Sequence, residues 1–124
     1  MPGPDQSGPI AQEFLKFYYE SLEGDRQNLA PLYRPESKLT YEGETLEGEE
    51  LLKKIAGMPQ VKRELVSVMS QSYENETAIM IMMHGHLLAD DTHRMNFIHV
   101  FNLRRDAGGN YFVNNEMFQL VYNA

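Results

Sequence analysis

The chain has 124 residues, of which 42% are hydrophobic and 23% charged, the composition of one ordinary globular domain. Its formal net charge of -7 argues against a nucleic-acid backbone or an anionic membrane as the main partner, because both require a basic face. The absence of cysteine excludes disulfides, thiolate nucleophiles and thiolate metal sites. These limits favour a soluble domain in a reducing compartment, with a basic protein surface as its partner.

The pattern of the chain changes at Ile10. Residues 1–9 contain three prolines and two glycines without an apolar run, so we expect a flexible leader and not a signal peptide. Residues 10–124 are expected to form a single domain. From Ile10, apolar residues recur at intervals of three and four, which predicts an amphipathic helix as far as Glu23. Its inner face is predicted to contain Ile10, Phe14, Phe17, Tyr18, Ser21 and Leu22.

Two more helices are predicted before the main sheet. A short one around residues 29–33 is predicted to be capped by Asn28, because proline is tolerated only in a first turn and Pro31 must lie there. Residues 37–42 alternate as a strand does. A third helix is predicted over residues 48–56, since glutamates occupy its positive first turn and lysines its negative last turn.

After Pro59 the helical period gives way to the alternation of strands. Four long strands separated by turn sequences are predicted, at residues 61–73, 77–90, 96–105 and 110–122. The second half is therefore expected to be an antiparallel meander. The predicted fold class is α+β: a strongly bent antiparallel sheet packed on three N-terminal helices, forming a cone with an apolar cavity.

The segment 77–89 is apolar on both faces until its histidines. Helices can cover only one face of the sheet, so the other face needs a second cover. A second copy of the chain is the simplest cover, which predicts a homodimer, and a loop folded over the face is the alternative. We place Met80, Met82 and His84 at the dimer interface.

Two kinds of chemistry are conceivable in the cavity. An enzyme of the isomerase or dehydratase type would use Tyr41 as a phenol donor and Glu42, Asp90 or Glu116 as its base. We expect these acids to lie at strand ends or beside turns, where water keeps them ionised. A metal site would use three histidines on neighbouring strands, namely His84, His86 and His99. No carboxylate falls in obvious register with them, which argues against a metal site. The prediction is therefore no catalytic residue, no metal and no cofactor.

Acidic residues cluster at the ends of two predicted strands and in the adjoining turns. They are Glu42, Glu44, Glu47, Asp90 and Asp91. Tyr41 directly precedes the first of them, and an apolar run, residues 87–89, precedes Asp90. An apolar group beside an acid at two points indicates an anchor pocket with an acidic rim, suited to lysine or arginine side chains of a partner. A solvated rim without a partner is the alternative.

Several motifs resemble the nuclear transport factor two family in order and spacing. In the helical half these are residues 14–19, 24–26, 29–33, 39–43 and Gly48, and in the sheet residues 85–90, 97–101 and 115–120. The resemblance implies a homodimeric carrier that binds the small GTPase Ran in its GDP form and FxFG-repeat nucleoporins, and returns Ran to the nucleus. It implies a location in the cytoplasm and nucleus, concentrated at nuclear pores, and neither nucleic acid nor membrane as a partner.

The resemblance also assigns residues. It implies that the partner-binding positions are Tyr41, Glu42, Met58, Leu87, Ala89, Asp90 and Phe118, with Asp91 as a further acid, and that Met82 and Met117 lie near the dimer interface. The chain departs from the family pattern at Thr92, where a further acid is usual, at Gln119, where a basic residue is usual, and near Ser7, where a tryptophan helps to bind FxFG repeats. Related proteins that serve as interaction modules in messenger-RNA export or stress-granule scaffolding are the main alternative.

Overall fold

A computed structural model describes residues 7–58, 61–88 and 93–121. There are three helical regions among these residues: α1 and two consecutive 3-10 turns precede the first strand, and α2 follows the second strand. Their bounds are α1 (Ser7–Glu23), the turns (Arg26–Asn28 and Ala30–Leu32) and α2 (Gly48–Ala56). The six strands are β1 (Tyr33–Tyr41), β2 (Glu44–Glu47), β3 (Lys62–Tyr73), β4 (Ala78–Leu88), β5 (Arg94–Arg105) and β6 (Tyr111–Val121). The predicted α+β class is confirmed.

The six strands form one open sheet in the order β2-β1-β6-β5-β4-β3. The four long strands of the second half were predicted from the sequence. All neighbouring strands are antiparallel except β1 and β6, which run parallel. The sheet is thus mixed, where a fully antiparallel one was predicted. Parallel neighbours need a long crossover, and α2 with the four strands between β1 and β6 supplies it.

α1 packs one stripe of side chains against the sheet. Its buried apolar residues are Ala11, Leu15, Tyr18, Tyr19 and Leu22. Phe17, predicted on this face, is 45% exposed instead. The helix starts at Ser7, whose hydroxyl lies 2.9 Å from that of Ser70 on β3, so residues 7–9 belong to the helix and not to the predicted leader. Residues 1–6 lie outside the described residues.

The next two helical predictions had different outcomes. The short helix is replaced by two 3-10 turns, and Asp25, not Asn28, caps the first of them by accepting the N–H of Gln27. Pro31 falls in the second turn, where its missing N–H costs nothing. The prediction for α2 is confirmed, with the acidic first turn and basic last turn that its sequence indicated. No helix among the described residues has the length and apolar character that spanning a bilayer requires.

β4 shows why its sequence is apolar on both faces. Ile79, Ile81 and Met83 point to the helices and are buried, whereas Met80 and Met82 point away and are 49% and 42% exposed. We call the side of the sheet remote from the helices the outer face. Its exposed apolar side chains are Met69, Met80, Met82, Ile98, Met117 and Val121.

A bend near one end of the sheet shapes the inner face. The β3–β4 register shifts between Leu65 and Ser67, and the partner of Leu65 is Gly85. Any side chain at Gly85 would meet the carbonyl oxygen of Glu64 and the ring of Phe97. Glycine therefore allows the close approach of β3 at this bulge, where a strand bends.

Candidate functional site

A cavity of about 180 Å³ opens on the inner face at one end of the sheet. The end of α1, the segment after α2 and the ends of five strands surround it. Its lining is Leu22, Tyr41, Met58, Val61, Arg63, Leu87, Met95, His99 and Phe118. Four residues predicted to contact a partner are thus brought together here, namely Tyr41, Met58, Leu87 and Phe118. Three others, Ala89, Asp90 and Asp91, lie outside the described residues, as does Thr92.

Two aromatic rings form one wall of the cavity. Tyr41 and Phe118 occupy paired positions on β1 and β6, and their rings stack with centroids 5.0 Å apart and planes 6° apart. The ammonium of Lys54, from the last turn of α2, lies 4.4 Å from the centroid of the Tyr41 ring. A cation over the face of an aromatic ring is attracted to it, which holds Lys54 beside the cavity mouth.

Glu42 lies at the mouth, directly after β1. Glu42 and Gly43 have φ of 51° and 88° and form the two-residue turn into β2, a conformation that favours glycine at the second position. The Glu42 N–H donates to the Phe118 carbonyl over 3.0 Å, and its carboxylate accepts the N–H of Leu120. These two bonds fix the exposed carboxylate next to the aromatic wall.

Arg63 was not expected in the cavity. Its Nη1 donates to the carbonyl of Val61 over 3.0 Å, and burial lowers the pKa of the guanidinium. The register of β3 against β4 places it there, because Arg63 pairs with Leu87, a residue predicted to line the cavity, and paired residues point to the same face. With Lys54 nearby, the described part of the rim carries both signs of charge, and Asp90 and Asp91 of the predicted acidic rim lie outside the described residues.

A buried polar network lies beneath the cavity. Glu116 is 1% exposed and accepts from Tyr18 at 2.9 Å and from Tyr33 at 2.5 Å, and His99 Nε2 lies 2.6 Å from its Oε2. His99 Nδ1 is 2.5 Å from the hydroxyl of Tyr19. The expectation that Glu116 is solvated near a strand end is therefore wrong. The inward face of β6 carries it into the core, where donors from α1, β1 and β5 surround it.

This network determines what chemistry the cavity can perform. Burial, followed by the nearby charge of Glu116, raises the pKa of the three tyrosines well above the ordinary value, so they stay protonated as hydrogen-bond donors. Glu116 is occupied by three partners and is not among the residues that line the cavity. A carboxylate in this position is a structural anchor, since a general base must reach its substrate.

The three histidines considered for a metal site do not converge. His84 and His86 lie on the outer face with ring centroids 5.7 Å apart, and His84 Nε2 is 3.2 Å from the side-chain oxygen of Asn96. His99 points to the inner face. Within residues 7–58, 61–88 and 93–121, no group of three or more potential metal ligands lies together.

A sequence profile described as the nuclear transport factor 2 (NTF2) domain matches residues 10–120. The chain belongs to the nuclear transport factor 2 family. It is 37% identical over 119 residues to nuclear transport factor 2 of Emericella nidulans, a match that covers 93% of this chain and 95% of that protein. The structure of nuclear transport factor 2 from Cryptosporidium parvum has a TM-score of 0.84 at 26% identity, covering 98% of this chain and 100% of that one. The yeast UBP3-associated protein BRE5 has a TM-score of 0.80 at 23% identity, over 92% of this chain and 95% of that one, a likeness that shows the fold alone.

Membership in the nuclear transport factor 2 family confirms the resemblance drawn from the sequence motifs. The cavity gives four of the predicted contact residues a common location, and Glu42 lies at its edge. The roles of these residues toward a partner stay predictions, as do those of Ala89, Asp90 and Asp91.

Proposed function

We propose that this chain is a nuclear transport carrier that binds Ran in its GDP form by receiving an aromatic side chain of Ran in the cavity. The observation that carries the proposal is the convergence of Tyr41, Met58, Leu87 and Phe118 on one cavity, with the carboxylate of Glu42 fixed at its mouth. Burying one aromatic ring there would contribute about 1.5–3 kcal/mol. A basic side chain beside that ring would meet the Glu42 carboxylate.

The cavity would discriminate between the GDP and GTP forms of Ran if the inserted ring comes from the switch, the segment of a GTPase whose conformation depends on the bound nucleotide. The γ-phosphate reorders that switch, so a cavity that holds one switch conformation senses the nucleotide without contacting it. The carrier then takes up the GDP form and releases Ran after exchange, which is the task of an import carrier. The expected locations are the cytoplasm, the nucleus and the pores between them, with FxFG-repeat nucleoporins as further partners.

The outer face supports the homodimer proposed with this function. Its apolar side chains surround two shallow depressions of about 470 and 610 Å³, lined mainly by methionine, isoleucine and valine. An apolar patch on a sheet that no helix covers marks an interaction surface. A second copy would bury Met80, Met82 and Met117, and would meet His84 at the edge of the patch.

Capture of purified Ran tests the carrier proposal. The immobilised chain should retain Ran loaded with GDP and not Ran loaded with GTP, and equal retention of both forms, or of neither, would remove the proposal. Glu42→Lys should weaken capture of the GDP form by on the order of 2–5 kcal/mol if the acid pairs with a desolvated base. Glu42→Gln is the matched control, because it removes the charge while keeping an acceptor for the N–H of Leu120. It therefore separates the effect of the charge on Ran capture from the effect of losing that hydrogen bond.

One observation favours a second function. Lys54 and Arg63 place two cations at a cavity expected to be rimmed by acids. Interaction modules of messenger-RNA export or stress-granule scaffolding are the alternative, because such relatives vary the acids of the rim. Failure to capture either form of Ran would favour this alternative. A cavity enzyme is disfavoured, since Glu116, the most buried acid of the described residues, is occupied by three partners.

A further inference from the structure

The wall of the cavity carries a cation with unused hydrogen-bonding capacity. A guanidinium has five N–H donors, and that of Arg63 makes one hydrogen bond among the described residues, to the carbonyl of Val61. No carboxylate of the described residues lies within ion-pair distance of it. Glu23, its acidic neighbour on α1, is bonded to the Arg63 main-chain N–H instead.

Arg26, close by in the fold, shows the contrast. Its guanidinium donates to four main-chain carbonyls, those of Leu22, Ile55, Ala56 and Met58, and so ties α1 to the end of α2. That arginine has a structural task that accounts for its position. Within the described ranges Arg63 has no comparable set of acceptors, although it too is partly desolvated.

The energetics point to an anion. Partial burial of the guanidinium lowers its pKa, so the loss of water is not offset by a bound negative charge. An arginine stays protonated even so, and its planar fork matches the two oxygens of a carboxylate. A carboxylate at this wall would satisfy donors that the described residues leave unused.

The remaining surface of the cavity suits one aromatic ring. The stacked pair Tyr41 and Phe118 forms one side, and the ring of His99 stands edge-on to Phe118 with centroids 5.3 Å apart. Met58 and Met95 add flexible apolar surface. An apolar protein cavity of about 150 Å³ holds a benzene molecule, so about 180 Å³ is sufficient for one six-membered ring.

We propose that the cavity is a binding site for a small free aromatic carboxylate, with its ring against Tyr41 and Phe118 and its carboxylate on the guanidinium of Arg63. This inference goes beyond the carrier function and does not depend on Ran. Because the ligand and an inserted aromatic side chain would occupy the same volume, a bound aromatic carboxylate would also exclude the proposed partner.

Phenylacetate is a suitable probe, and methionine methyl groups show where it binds. In the full chain labelled with ¹³C at the methionine methyls, phenylacetate should shift the signals of Met58 and Met95, which line the cavity. The signals of Met69, Met80 and Met117 report the apolar outer face instead. Shifts confined to those three, or no shifts at millimolar phenylacetate, would overturn the inference.

The charge on Arg63 is tested with a matched pair of ligands and of variants. Phenylacetamide, which has the same shape without the charge, should bind about tenfold more weakly than phenylacetate. Arg63→Met should weaken phenylacetate binding by a similar factor, Arg63→Lys should restore part of it, and Lys62→Met, on the opposite side of β3, should leave it unchanged. Equal binding of both ligands, or by wild type and Arg63→Met, would contradict the assignment.

The two proposals fail separately. The phenylacetate titration contains no Ran, so a negative result leaves the carrier proposal intact, and a negative Ran capture leaves the ligand site intact. Where both succeed, phenylacetate near its wild-type Kd should reduce capture of Ran-GDP by wild type clearly more than capture by Arg63→Met. Unchanged capture by wild type with the Met58 and Met95 signals fully shifted would contradict the shared cavity.

Discussion

Two single side chains, Glu42 and Arg63, determine the charges at the mouth and the wall of the cavity. Glu42 is fixed by two bonds to β6 and directs a negative charge to the mouth. Arg63 brings a positive charge to the wall, where the strand register places it opposite Leu87. A partner segment that entered the cavity would therefore meet one acid and one base. Matching both charges is more selective than attraction to an acidic rim alone.

The tyrosines around Glu116 give a residue-level prediction about pH. Tyr18, Tyr19 and Tyr33 have pKa values raised above the ordinary value of 10.0 in the folded chain, so above pH 10 the unfolded chain loses protons that the folded chain keeps. Their contribution to stability is complete below pH 10 and is lost as the pH rises. Three such groups should lower the free energy of unfolding by about 4 kcal/mol per pH unit.

Denaturant titrations between pH 8 and pH 11 measure this slope. Tyr33→Phe should reduce it by about one third, because one of the three groups is removed, and should cost about 1–3 kcal/mol at pH 8 since Glu116 loses a donor. Tyr73→Phe, at a half-buried tyrosine outside the network, should leave the slope unchanged. A slope that is the same in wild type and Tyr33→Phe would show that Tyr33 does not stay protonated in the fold.

At the scale of elements, patterns in the sequence predicted what each segment is better than what lies beside it. α2 was predicted to the residue because its end charges and Gly57 mark both ends. β2 was missed, since Glu44–Glu47 is short and polar. The parallel pairing of β1 with β6 was also missed, because alternation specifies which face a side chain occupies and not which strand is its neighbour.

The outer face of β4, β5 and β6 provides a prediction at this scale. Met117 is 52% exposed in the single chain, and Met117→Glu would place a charge within the apolar outer face. If a second copy covers this face, sedimentation should show a dimer for wild type and a monomer for Met117→Glu. Phe17→Glu is the matched control, because Phe17 is 45% exposed on α1, and it should remain dimeric. A dimer that persists in Met117→Glu would place the interface elsewhere.

At the scale of the whole molecule, net charge and local charge lead to different conclusions. The total of -7 predicted a basic partner, yet the cavity wall contains Arg63 and its mouth contains Lys54. Tyr41, Met58, Leu87 and Phe118, which the family resemblance assigned to partner binding, lie around one cavity. The sequence motifs could not reveal the contact between the side chains of His99 and Glu116. The two residues are 17 positions apart, and only the pairing of β5 with β6 brings them together.

The proposed carrier function requires that the cavity receive an aromatic side chain of Ran-GDP. Met58 and Met95 line that cavity, whereas Met69, Met80 and Met117 lie on the outer face. The most direct measurement is therefore the ¹³C-methyl methionine spectrum of the chain titrated with unlabelled Ran. Insertion of an aromatic ring should produce ring-current shifts of Met58 and Met95 with Ran-GDP and none with Ran-GTP. Shifts confined to the outer-face methionines, or identical shifts with both nucleotides, would contradict it.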